Sequence, residues 1–108
     1  MTSWAYEFSS PKSLYAMETI LNQAGPWPWR VRDCAWYPDY LQCRPGEGVR
    51  ICIYEVNPPG GPLYRALVEV GQKSNAQGAS LETAFRDLLA KVSAENISEI
   101  EAAEWPFD

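Results

Sequence analysis

Alternating apolar and polar positions mark several stretches of the chain as candidate β-strands. In the first stretch, Trp4, Tyr6 and Phe8 alternate with smaller or polar residues, a period that turns one set of side chains towards a core. Proline and glycine residues predict a turn at 45–48 and a loop at 57–62 between such stretches. The alternation predicts strands at about 3–9, 29–33, 49–54 and 63–70, with a weaker candidate at 39–44.

The spacing of apolar residues by three or four positions predicts a helix over 11–24. We expect Ser10 to cap this helix, with Pro11 in its first turn, where the missing N–H of proline carries no cost. Gly25 followed by Pro26 is typical of a helix end. The predicted apolar stripe consists of Leu14, Met17, Ile20, Leu21 and Ala24.

Two further helices are predicted in the last third of the chain. One begins with Ser80 as its cap and runs to about Val92. Its stripe consists of Leu81, Ala84, Phe85, Leu88, Leu89 and Val92. A short last helix is predicted from Ser98 through about Glu104.

These elements predict an α+β fold in the order β-α-β-β-β-β-α-α. Each of the two main helices has a single apolar face, which suits it to cover one face of an antiparallel sheet. We therefore expect a two-layer sandwich with a sheet of four to five strands and both main helices on one face. Residues 1–94 would form a single compact domain, and 95–108 an acidic C-terminal tail packed on the same domain as a short helix.

Composition and charge narrow the class of protein. The chain has 108 residues, of which 46% are apolar, and this favours one folded domain over disorder. The formal net charge is −5, but all nine basic residues lie within 1–94 together with nine of the fourteen acidic residues. The excess of acid therefore belongs to 95–108 alone.

The sequence also predicts a cytoplasmic location. It has no apolar run long enough for a membrane helix, and its N-terminal stretch lacks the basic and apolar regions of a secretory signal. Three cysteines without such a signal favour reduced thiols over a disulfide framework.

Catalytic and metal chemistry have weak support in the sequence. Cys34, Cys43 and Cys52 are nine residues apart, unlike the close pairs of zinc sites, and there is no histidine. The predicted hairpin would place Cys43 and Cys52 on the same sheet face. An activated cysteine or a pair of carboxylates would lack a histidine as base, and no phosphate-binding loop is present. We expect no metal, no cofactor and no enzymatic activity.

The most distinctive stretch is 27–54, where aromatic residues and arginines are concentrated. Tryptophan, tyrosine and arginine are enriched at the energetic centres of protein interfaces. The segment between Trp36 and Arg44 is therefore a candidate contact patch. Its anchors would be Trp36, Tyr37 and Tyr40, and the residues that orient the partner would be Arg30, Arg32, Asp39 and Arg44. The alternative is that the large aromatics, Trp29 and Trp36 among them, complete the core.

The acidic tail is a second candidate for binding. Ile97, Ile100, Trp105 and Phe107 could dock into the groove of a partner as the apolar side of this segment. The alternatives are that the apolar side packs on its own domain, or that the acids cover the arginine-bearing face until a partner displaces them.

The sequence thus favours a small non-catalytic protein that binds another protein, or inhibits it, through an aromatic and arginine-rich patch. A homodimer is an alternative use of the same patch. One alternative function is a small-ligand module or enzyme with a cleft lined by these aromatics and arginines. A second is single-stranded nucleic-acid binding, which the acidic balance disfavours.

Overall fold

The computed structural model describes residues 2–25, 27–34, 37–56, 63–71 and 78–101. Within these ranges the chain forms six strands and two helices. The elements are β1 (Thr2–Ser9), α1 (Leu14–Ala24), β2 (Trp29–Cys34), β3 (Tyr37–Cys43), β4 (Val49–Glu55), β5 (Leu63–Val70), α2 (Gly78–Lys91) and β6 (Glu95–Ile100). Neither helix combines the length and the apolar composition that a membrane-spanning segment needs.

The strands form one antiparallel sheet in the order β2-β3-β4-β5-β1-β6. The predicted α+β class and antiparallel pairing are confirmed, but the sheet has six strands rather than four to five. The weaker candidate at 39–44 is a full strand, β3, and the extra strand is β6. Because β6 pairs with β1, the N- and C-terminal parts of the described chain meet at one edge of the sheet.

The core lies between the two helices and one face of this sheet, which we call the inner face. Leu14, Met17 and Leu21 of α1 and the apolar stripe of α2 form one cluster with the inner-face side chains. The inner-face members are Tyr6, Phe8, Trp29, Leu41, Cys43, Val49, Ile51, Ile53, Tyr64, Ala66 and Val68. Trp29, which the alternative to the contact patch assigned to the core, is a core residue, and its ring stacks 6.4 Å from that of Phe85.

The start of α1 differs from the prediction. Ser13, not Ser10, is the N-cap: its backbone is extended and its Oγ accepts a hydrogen bond from the Ala16 N–H at 3.1 Å. Ser10 is buried instead, and its Oγ donates to the Val92 carbonyl oxygen at 2.7 Å. The end of α1 is as predicted, since Gly25 has a φ of 58° and its N–H bonds the Leu21 carbonyl oxygen.

The predicted last helix is wrong over its described residues, because Ser98–Ile100 belong to strand β6. A helix there would have left the backbone groups at the outer edge of β1 without a partner strand. The chain turns into β6 through Ser93 and Asn96, whose φ angles are 59° and 54°. Asparagine tolerates such angles better than most residues, and the pairing with β1 is irregular nearby, between Glu7 and Ser9.

The predicted tail-docking residues divide into two groups. Ile97 is partly buried against the core, and Ile100 lies opposite Ala5 of β1. Trp105 and Phe107 lie outside the described residues. The division into a domain over 1–94 and a tail over 95–108 stays a prediction, although the first six tail residues form a strand of the same sheet.

Candidate functional site

The sheet face opposite the helices, which we call the outer face, carries the arginines that the sequence singled out. Strand register places Arg30, Gln42, Cys52, Leu67, Ala5 and Ile100 side by side across all six strands. Ala5, Cys52 and Leu67 in this row are buried but do not belong to the core cluster. The outer face is thus apolar along its middle row, with charged residues at the β2–β3 end.

Three arginines lie together at that end: Arg30 and Arg32 on β2, and Arg44 directly after β3. Arg30 and Arg32 are two residues apart and therefore share a face of the strand. Arg44 follows Cys43, which pairs with Trp29, so it reaches the same end of the outer face. We call these three residues the arginine cluster. All three are exposed, and none forms an ion pair with an acidic side chain that the structure describes.

The arginine cluster surrounds a shallow depression of about 260 Å³. Its other lining residues are Pro28, Trp29, Gln42 and Cys43. Gln42 is only 8% exposed, and its side-chain amide nitrogen lies 3.6 Å from the Cys52 sulfur in a hydrogen bond. The described lining residues include no acid, so an anion placed there would meet three guanidinium groups and no carboxylate among them.

The other two arginines of the outer face are already paired. The Nη2 of Arg50 lies 2.6 Å from a carboxylate oxygen of Glu69, and the Nε of Arg65 lies 2.9 Å from one of Glu7. Opposite charges at directly facing positions of neighbouring strands stabilise the sheet. Among the arginines of this face that the structure describes, those without a described acidic partner are the three of the arginine cluster.

The structure separates the other predicted contact residues. Tyr40 lies on the outer face opposite Arg32, but it is 4% exposed and offers little surface to a partner. Asp39 belongs to the inner side of β3, where it accepts a hydrogen bond from the Tyr15 hydroxyl of α1. Trp36 and the side chain of Tyr37 lie outside what the structure describes. Of the seven predicted residues, Arg30, Arg32 and Arg44 are brought together.

Gln42 is the site residue that the sequence analysis missed. The sequence does place Gln42 on the outer face, because it is two residues from both Tyr40 and Arg44. Side chains two positions apart in a strand share a face. Its burial was not readable from that alternation, since it results from neighbours on β2 and β4 that only the register identifies.

Cys43 and Cys52 lie on opposite faces of the sheet, which corrects the prediction that they share one. Cys43 pairs with Ile51 on the inner face, whereas Cys52 pairs with Gln42 on the outer face. Burial raises the pKa of each thiol to about 12. Both are therefore protonated at neutral pH, the form that is a poor nucleophile and a poor metal ligand. Among the described residues, no group of three or more metal-ligating side chains is assembled.

Two other concavities are lined by fewer converging charges. One, of about 190 Å³, lies on the outer face near β6 and includes Arg65, which is already paired with Glu7. The other, of about 240 Å³, lies between the end of α1 and α2, beside Trp27. Of these three concavities, the depression in the arginine cluster is the one where several like-charged side chains without described partners converge.

In comparisons with known proteins, the chain matches no family model, no curated protein and no solved structure. No family assignment follows, and a candidate function rests on the geometry of the site.

Proposed function

We propose that this chain is a small non-catalytic protein of the binding or inhibitor type, which holds a partner protein against the arginine cluster of its outer face. The single observation that carries the proposal is the convergence of Arg30, Arg32 and Arg44 around one depression without an acidic partner among the described residues. The finer description of the fold as a two-layer sandwich belongs to the same proposal. A cytoplasmic setting does too, supported by the two free, buried thiols.

The energetics support a binding role over a purely structural one. Three like charges within one small area repel one another, and this repulsion opposes the stability of the domain. Elsewhere on the same face, arginines are matched with Glu69 and Glu7, so the fold does pair its charges where they serve the sheet. Arginine also suits an interface, because its planar guanidinium group binds carboxylates through two hydrogen bonds.

Affinity capture with matched variants tests the proposal. The tagged chain is compared with the triple variant Arg30→Gln, Arg32→Gln, Arg44→Gln and with Arg86→Gln, which removes an exposed arginine from α2 on the helix side. We expect quantitative mass spectrometry to show a partner retained by the parent chain and by Arg86→Gln but lost from the triple variant. Equal retention by all three proteins would overturn the proposal, provided that circular dichroism shows each of them folded.

A small-ligand module is the second candidate, and the depression itself favours it. A volume of about 260 Å³ is near the lower end for ligand pockets and would accept a compact anion. Isothermal titration with inorganic phosphate and citrate separates this candidate from protein binding. Saturable binding of either anion, lost in the triple variant, would favour it if no protein partner is captured.

A further inference from the structure

We infer that the arginine cluster recognises an extended acidic protein segment whose carboxylates occupy alternate positions along its chain. This inference rests on the proposed function, because it names the chemistry of the partner at the same site.

The spacing of the three arginine positions on the sheet is the first argument. Arg30 and Arg32 are two residues apart on β2, which places their Cα atoms about 7 Å from each other. Arg30 faces Gln42 across the strand pair, and Arg44 is two residues beyond Gln42, a diagonal separation of about 7 to 8 Å. In an extended segment, side chains on one side also repeat every two residues, at about 7 Å. Acids at every second position would therefore meet successive arginines.

The shape of the site is the second argument. The arginine cluster lies on a pleated sheet surface beside a shallow depression, not in a deep enclosed cavity. An extended segment can lie along such a surface with its carboxylates in contact with the arginines. The other described lining residues, Pro28, Trp29, Gln42 and Cys43, include no acid that would repel them.

The charge distribution favours an acidic protein segment over a nucleic acid. A nucleic-acid strand needs a continuous basic path, because its phosphates repeat along the whole strand. Here the positive charge ends at β3, since Arg50 and Arg65 are neutralised by Glu69 and Glu7. Beyond them, Glu101 at the β6 edge of the outer face is exposed. A short acidic segment makes contact with the arginine cluster alone and avoids the rest of the face.

Fluorescence anisotropy with defined probes tests the inference. The probe is a fluorescein-labelled Glu-Ser-Glu-Ser-Glu peptide, and its control is the Gln-Ser-Gln-Ser-Gln peptide of the same length. At low ionic strength we expect the acidic peptide to bind the full chain and the neutral peptide not to bind. Each single change, Arg30→Gln, Arg32→Gln or Arg44→Gln, should weaken binding by about fivefold, and the triple variant should abolish it. Arg86→Gln should leave it unchanged.

A second set of variants separates recognition from charge alone. Arg→Lys changes at positions 30, 32 and 44 keep the charge but remove the two-pronged hydrogen bonding, so we expect binding weaker than that of the parent chain and stronger than that of the glutamine variant. The triple glutamine variant should unfold at the same temperature as the parent chain or a higher one, because it loses only mutual repulsion.

Three outcomes would overturn the inference. One is equal affinity of the acidic peptide for the parent chain and the triple variant. The second is tighter, arginine-dependent binding of a labelled oligothymidylate, which would assign the site to nucleic acid. The third is complete displacement of the peptide by inorganic phosphate at equal carboxylate and phosphate concentrations, which would show a site for any anion. If partner capture still requires the three arginines while the acidic peptide fails to bind, the inference falls and the proposed function stands. If capture is also independent of the arginines, both fall.

Discussion

The side chain of Asn22 in α1 bonds both backbone groups of Trp29 in β2. Its Nδ2 donates to the Trp29 carbonyl oxygen at 2.9 Å, and its Oδ1 accepts from the Trp29 N–H at 2.7 Å. A carboxylate oxygen of Glu18, one turn earlier in α1, accepts from the Val31 N–H at 2.6 Å. Because β2 is an edge strand, these side chains supply the bonds that another strand would otherwise make. Arg30 and Arg32 of the arginine cluster thus lie on a strand whose free edge is bonded by side chains of α1.

The first prediction is that Asn22→Ala destabilises the protein by about 1 to 2 kcal/mol. The change removes two hydrogen bonds to the backbone, so the N–H and carbonyl oxygen of Trp29 must be hydrogen-bonded by water instead. Urea denaturation followed by circular dichroism measures the effect. Gln23→Ala is the matched control, since Gln23 is an exposed neighbour in the same helix. Equal stability of the two variants would show that the edge does not depend on Asn22.

Much of the fold could be predicted because periodicity reports directly which side chains share a face. Val49, Ile51 and Ile53 alternate along β4 and are all buried on the inner face. The stripe of α1 likewise predicted the burial of Leu14, Met17 and Leu21. These patterns are local, so a single sequence contains them.

What could not be predicted depends on contacts between distant segments. Ser10 and Ser13 are equally good caps in sequence, and the choice is made by Val92, whose carbonyl oxygen holds Ser10. The strand character of Ser98–Ile100 comes from the free edge of β1, more than ninety residues earlier. At the candidate site, the arginines could be named from the sequence. The opposite placement of Asp39 and the burial of Tyr40 follow from strand register, which the sequence leaves open.

The second prediction concerns the start of α1. Ser13→Ala should cost about 1 kcal/mol because it removes the side-chain acceptor of the Ala16 N–H. Ser10→Ala should cost more, about 1 to 3 kcal/mol, because the Val92 carbonyl oxygen and the Lys12 N–H both lose their hydrogen bond to the Ser10 hydroxyl. Ser10 is only 3% exposed, so water has little access to replace these bonds. Chemical denaturation of both variants measures which change lowers the free energy of unfolding more. A helix that began at Ser10 would give the reverse, because alanine at position 13 would then favour the helix interior.

The third prediction is a loss of stability at alkaline pH. Burial raises the pKa of Cys43 and of Cys52 from 9.0 to about 12, and burial together with the hydrogen bond to Glu82 raises that of Tyr6 from 10.0 to about 12. The folded state therefore holds these protons more tightly than the unfolded state. Their stabilisation is complete below about pH 9 and is lost as the pH rises towards about 12.

Urea denaturation at a series of pH values from neutral to strongly alkaline measures this loss. We expect the free energy of unfolding to fall by about 1.4 kcal/mol per pH unit for each proton that the unfolded state has released. Cys52→Ala removes one of these protons, so the free energy of unfolding should fall less steeply with pH than in the parent chain. This difference in slope is independent of the effect of the change on stability at neutral pH. A slope that is the same in both proteins would contradict the assignment to Cys52.

The fourth prediction separates folding from binding at Tyr40. Because this side chain is 4% exposed, Tyr40→Ala should create a cavity on the outer face and lower the free energy of unfolding by about 3 kcal/mol. Tyr15→Ala is the matched control: Tyr15 is 60% exposed, and its loss should cost at most about 1 kcal/mol, including its bond to Asp39. Thermal and urea unfolding of the two variants give the comparison. A stable, folded Tyr40→Ala variant that no longer binds the acidic peptide would instead make Tyr40 a contact residue. A destabilised one assigns it to the packing of the sheet beside Arg32, so that the arginines carry the recognition without Tyr40.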